Sequence, residues 1–211
     1  MARAGSGPLR GNLPSEPATQ AVGPAAGPII ADPGPLGLAA FALTTFVLSV
    51  FNAGILKTGE PVVLGLALAY GGGAQLLAGM WEFRKGNTFG AVAFSSYGAF
   101  WLSFWALVAF YAKQATPHAI GTYLLGWFIF TAYMTVASMR TSGAVLAVFV
   151  FLTLAFLFLA LGDLTDTKGL THVGGWLGLI TAFLAWYASF AAVTNETWKR
   201  TVLPVFPLNA R

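Results

Sequence analysis

Residues 141–162 read TSGAVLAVFVFLTLAFLFLALG, an unbroken run without Lys, Arg, Asp or Glu. An α-helix rises about 1.5 Å per residue and needs about 20 residues to cross a hydrocarbon core of about 30 Å. The run is therefore long enough to span a membrane once and too short to span it twice. Charge-free runs also occupy 33–56, 61–81, 86–112, 114–139 and 169–195. Six such helices in succession have no polar faces to give to water, so a soluble helical bundle is set aside. The expected fold is all-α: a polytopic membrane protein, a six-transmembrane-helix bundle with spans at about 36–56, 61–81, 89–112, 119–139, 142–162 and 171–194.

Composition agrees. Of 211 residues, 11 are Lys or Arg and 7 Asp or Glu, so 9% are charged, against about 25% in soluble domains. The chain is long enough for six spans with short joints and leaves no room for a second domain. Residues 1–31, rich in Gly, Pro, Ala and Ser, read as a disordered N-terminal tail, without the apolar stretch of a secretory signal. The transmembrane domain is expected over 32–198 and a C-terminal tail over 199–211.

The net charge of +4 does not point to nucleic acid, because no basic run exceeds a pair such as Arg84-Lys85 or Lys199-Arg200. It reports topology instead. Arg3, Arg10, Arg84, Lys85, Arg140, Lys199, Arg200 and Arg211 fall on one side, and Lys57, Lys113 and Lys168 on the other. By the positive-inside rule both termini are cytoplasmic.

No nucleophile and base, phosphate cradle or metal-ligand cluster is legible, so no catalytic residue, metal or cofactor is expected and the protein is read as no enzyme. There is no cysteine, which closes thiolate chemistry. His118 and His172 stand near span ends without ligand spacing and read as interfacial hydrogen-bonding residues. Gly71-Gly72-Gly73 lacks the following Lys-Ser or Lys-Thr of a phosphate loop and reads as close packing or a local break in the helix. Gly65, Gly72 and Gly79, seven residues apart, and the pair Gly174 and Gly178 mark seams where backbones approach, within a subunit or between subunits.

The spans carry hydroxyls, amides and aromatics at helical spacing. Phe41, Thr45, Leu48 and Asn52 follow steps of four, three and four and share one stripe. A buried amide in hydrocarbon needs partners or water, so Asn52 and Gln75, with Thr45 and Ser96, are candidate pore-lining and substrate-binding residues. Tyr97, Trp101 and Phe104 form a second stripe. The span interiors hold no fixed charge, which disfavours a pump built on buried carboxylates and favours a conduit for something small, neutral or singly charged.

Asp32-Pro33-Gly34-Pro35-Leu36-Gly37-Leu38 resembles the NPAPLGL signature of the acetate uptake transporter family, with Asp32 for Asn and Gly34 for Ala. Further agreement lies in Tyr70-Gly71-Gly72 with Gln75, Ala78-Gly79, Glu82, Lys85-Gly86-Asn87-Thr88-Phe89-Gly90, Ser96-Tyr97-Gly98, Gly175-Trp176, Asn195-Glu196 and Arg200-Thr201-Val202-Leu203-Pro204. The resemblance covers about 32–204. It implies a homohexamer with a pore through each subunit, moving acetate and related short monocarboxylates, with succinate in some members, together with protons across the cell membrane. It places a hydrophobic constriction on Phe41, Tyr97 and Leu152 and a size-selecting position on Ala185; the last two rest on the resemblance alone. Glu82 is the candidate proton relay, or else an interfacial ion pair with Arg84-Lys85. The alternatives are a passive channel for acetate anion or a small neutral solute such as urea, and a non-transporting sensor or scaffold.

Overall fold

A computed structural model of the chain describes Met1 and residues 30–208. Residues 2–29, most of the segment expected as an N-terminal tail, and the last residues from 209 lie outside the described residues. Helix boundaries follow local chemistry. Helix α1 (Gly34–Asn52) opens with Pro35 in its first turn, where a missing N–H costs nothing because that donor has no intrahelical partner. It stops short of the charge-free run, since Gly54 adopts φ +75°, a left-handed conformation that favours glycine.

The second span is one continuous helix over Val62–Lys85. Within it, α2 (Val62–Leu68) widens to i→i+5 bonding over Ala69–Ala74 and resumes as α3 (Gln75–Lys85). The glycine triplet thus opens the helix without breaking it. It also lets neighbours come close: a Cβ on Gly71 would lie 2.6 Å from Thr44 Oγ1 of α1, and one on Gly72 would meet Leu102. A residue added to one turn rotates all that follows by about 100°, and Gln75 is the first residue after the widened segment.

Helix α4 (Thr88–Ala106) starts at Asn87, whose side chain accepts from Gly90 N at 3.2 Å, and continues through a second widened segment, Leu107–Tyr111. Thr116 and Ser142 cap α5 (Pro117–Ser138) and α6 (Gly143–Leu164) in the same way, accepting from Ala119 N and Val145 N. Helix α7 (Lys168–Thr197) has 30 residues. At about 1.5 Å per residue it is about 45 Å long, longer than a hydrocarbon core is thick. Among the described residues six helices are long and apolar enough to cross a membrane.

The helices pack in chain order as a ring. α5 lies against α6, α6 against α7, α7 against α1, α1 against the second span, and α3 against α4; the α4–α5 seam is the thinnest. Glycines make these contacts close. Gly79 faces Ser95 of α4, Gly174 faces Leu159 of α6, and Gly178 faces Ser49 of α1. Both glycine seams are therefore used within the subunit, apart from Gly65, which has no neighbour within 4 Å. Residues 34, 85, 88, 138, 143 and 197 fall at one end of the ring, the terminal face; residues 52, 62, 117, 164 and 168 fall at the distal face.

The segment expected as a C-terminal tail is pinned down over its described part. Asn195 Oδ1 accepts from Val202 N and Leu203 N at 2.7 and 3.0 Å, and its Nδ2 donates to Leu203 O at 2.8 Å. Beyond this clasp, Tyr187 Oη donates to Pro204 O at 2.6 Å, and Gly143 N and Ala144 N donate to Phe206 O and Val205 O. The exposed Lys199–Glu196 pair beside it adds little. Replacing Asn195 by Ala removes three hydrogen bonds, each worth about 1 kcal/mol net. Asn195→Ala is expected to lower the melting temperature in detergent and to speed tryptic cleavage at Arg200, with Asn195→Asp, which keeps the acceptor, intermediate.

Candidate functional site

The stripe on α1 faces the middle of the ring, and two cavities lie there. The terminal cavity, of about 460 Å³, is lined by Leu38, Phe41, Gln75, Tyr97, Phe149 and Leu152, with Asp32, Glu82, Lys85 and Arg140 among its polar residues. The distal cavity, of about 290 Å³, is lined by the whole stripe of Phe41, Thr45, Leu48 and Asn52, together with Trp101, Leu152 and Asp163. Phe41 and Leu152 line both cavities, so they form the partition between them.

That partition is apolar and closely packed. Phe41, Tyr97 and Leu152 are 5%, 3% and 5% exposed and belong to one core cluster. The Tyr97 ring lies 5.7 Å from Phe41 and 6.1 Å from Phe149, centroid to centroid, with Phe130 edge-on at 5.3 Å. Its hydroxyl is 2.9 Å from Thr131 Oγ1 on α5. Thr131 donates its own proton to Trp127 O at 2.7 Å, so Tyr97 donates to Thr131. The bond links α4 to α5 across the thinnest seam of the ring.

The polar candidates divide. Thr44 bonds back to Ala40 O at 2.9 Å, the common fate of a helical threonine, but Thr45 Oγ1 is buried with no partner. Gln75 is 1% exposed and its Oε1 likewise has no partner. A buried polar atom left without a hydrogen bond costs about 1–3 kcal/mol, and such atoms in a cavity wall mark where water or a polar ligand is accommodated. Asn52 lines the distal cavity, half-buried. Ser96 is half-buried on α4 and lines neither cavity; Ala185 is fully buried in the core and lines neither.

Glu82 is 1% exposed and accepts from Asn87 Nδ2 at 2.9 Å. The ion pair with Arg84 or Lys85 considered from sequence does not form; Lys85 Nζ reaches Asp32 Oδ1 at 2.8 Å instead. Asp32 also accepts from Gly34 N at 2.9 Å, so the carboxylate in the signature's amide position both tightens the start of α1 and ties it to the end of α3.

Sequence reasoning passed over three residues. Phe149 stands three positions before Leu152 and could have been found by that step. Trp101, whose Nε1 is buried without a partner in the distal wall, stood in the second stripe without a role. Thr131 gave no signal, because its partner is 34 residues away. Among the described residues no group of His, Cys, Asp and Glu could hold a metal ion.

A ring of six long apolar helices around two cavities that share an aromatic and aliphatic partition defines a multi-pass membrane protein with a central site. The chain belongs to the GPR1/FUN34/yaaH family, whose sequence profile matches residues 17–210. Acetate permease A of Emericella nidulans is 44% identical over 195 residues, covering 83% of this chain and 65% of that protein. The succinate-acetate/proton symporter SatP of Escherichia coli K12 is 39% identical over 180 residues, covering 83% of this chain and 95% of that protein. The solved structure of the bacterial acetate channel SatP superposes with a TM-score of 0.81 at 37% identity, over 84% of this chain and 99% of that one. The chain spans 62–66% of the length of the fungal relatives it matches.

Tyr97→Phe and Thr131→Val are each expected to cost about 1 kcal/mol. If the hydroxyl pair acts as one link, the double variant melts no lower than the worse single variant, a non-additivity that thermal unfolding of all four proteins reads directly.

Proposed function

We propose that the protein carries acetate and related short monocarboxylates across the cell membrane together with protons, with both termini cytoplasmic. The observation that carries this reading is the shared partition: two cavities, each with polar residues in its wall, are divided by Phe41 and Leu152 with Tyr97 packed beside them. A dry passage of this kind penalises an anion far more than the neutral acid. Acetate would therefore cross with its proton, meeting hydrogen-bonding groups such as Gln75, Thr45 and Asn52 on either side. Support also comes from relatives named as a succinate-acetate/proton symporter and an acetate permease. The basic excess at the terminal face supports the orientation, while assembly as a homohexamer rests on the family resemblance.

Glu82 is proposed as the group that passes the proton on the terminal side. Its carboxylate is buried in the wall of the terminal cavity and tied to Asn87, not to a cation. A passive acetate channel is the second reading, favoured by the description of the solved relative as a channel. The two differ in their response to a proton gradient.

Uptake of radiolabelled acetate into proteoliposomes is expected to rise with an imposed inward proton gradient and to concentrate acetate above its external level. Flux that only equilibrates acetate, whatever the gradient, sinks the coupled reading. Leu152→Ala is expected to raise the propionate-to-acetate rate ratio by about tenfold, the scale on which a methylene is discriminated in an apolar site. Glu82→Gln is expected to blunt the response to the gradient while acetate exchange continues.

A further inference from the structure

On the terminal face Lys85 is paired with Asp32, Lys199 with Glu196, and the Arg200 guanidinium lies 5.5 Å from the Trp198 ring centre, while Arg84 makes no ion pair among the described residues. On the distal face Lys57 and Lys168 make no ion pair and no side-chain hydrogen bond among the described residues. Both line the same hollow, which also contains Asn52, Glu60, Thr171 and His172. Asn52, Glu60 and Thr171 line the distal cavity as well, so the hollow is the antechamber of that cavity. Gly54, at φ +75°, turns the chain closely against His172: a Cβ there would stand 2.9 Å from Nε2. This turn leads directly into the loop that carries Lys57.

We infer that this antechamber is a binding site for the ionised carboxylate, in which Lys57 and Lys168 capture the anion at the distal mouth and Asn52 receives it at the entrance to the cavity. The inference rests on the transport reading above and adds a recruiting step to it. Two lysines outweigh Glu60 in the hollow, whereas the wall behind them carries Glu60 and Asp163 without a cation. Attraction for an anion is therefore greatest at the mouth and falls off inward. A site built this way holds the anion loosely, in exposed surroundings, and raises its local concentration where the dry partition admits only the neutral acid. Its effect lies on the encounter, an electrostatic acceleration of about 10-fold or more for a focused cleft, and it is screened by salt.

The test is the initial rate of acetate uptake by proteoliposomes of a single orientation, substrate supplied at the distal face, for the unaltered protein and the Lys57→Gln/Lys168→Gln variant. At low ionic strength the variant is expected to lose about 10-fold in kcat/KM with kcat nearly unchanged. The difference is expected to vanish in about 1 M salt, where the Debye length is about 3 Å. Lys57→Arg/Lys168→Arg should retain the unaltered behaviour. Lys113→Gln, which removes one positive charge from the same face at a residue lining neither cavity nor hollow, should cost far less than half of the double variant's effect on a logarithmic scale. Equal kcat/KM at low salt, a loss that persists in 1 M salt, or an equal loss in Lys113→Gln each overturns the site. Absence of acetate uptake by the unaltered protein would instead overturn the transport reading on which the site depends.

Discussion

Hydrocarbon offers no hydrogen bonds, and this one constraint organises the molecule. Every peptide group inside the membrane must be satisfied by its own segment, so the chain is helical wherever it is apolar. Charges are driven to the ends of the spans, which is why Lys57, Lys85, Arg140 and Lys168 collect at the two faces. Once the helices are closed into a ring, any polar side chain left between them must be bonded, hydrated or functional. Thr44 and Thr131 are bonded back to carbonyls of their own helices. Thr45 and Gln75 leave a buried oxygen without a partner, and both residues line cavities.

The six helices were legible because the charge-free runs match the thickness of a bilayer, a relation that involves no tertiary information. The placement of Phe41, Thr45 and Asn52 on one inward stripe was also legible, because helical spacing alone decides which residues share a face. Features that depend on contacts between distant segments were not. Thr131 meets Tyr97 across two helices, Asp32 meets Lys85 across two spans, and Asn195 clasps residues 202 and 203 of the C-terminal segment. Ser96, singled out with the other hydroxyls and amides of the spans, stands in neither cavity wall, because the position beside Tyr97 on a helix points about 100° away. Leu152 could not be singled out among the aliphatic residues of α6 until a resemblance drew attention to it.

The partition between the cavities combines a tight place with a firm anchor. Phe41 and Leu152 supply bulk from α1 and α6, and Tyr97 is fixed from the side by a hydrogen bond to α5 and by surrounding rings. Side chains so held resist the rotamer changes that would otherwise let the passage breathe. Glycine contacts hold the outer frame equally closely, since Gly79, Gly174 and Gly178 each admit a neighbour where a methyl group would not fit without movement.

The widened segment Ala69–Ala74 has a consequence for how this helix tolerates change in length. The widened turn absorbs one residue, so relaxing Ala69–Ala74 to ordinary α-helical winding with its length unchanged would turn α3 by about 100° relative to α2. Gln75 and Glu82 would swing out of the terminal cavity together, and Gly79 would leave Ser95. Deleting one residue of the glycine triplet along with that relaxation would cancel the turn and keep α3 in phase, so residue count and winding between Leu68 and Gln75 must change together if half a helix is to keep its angle.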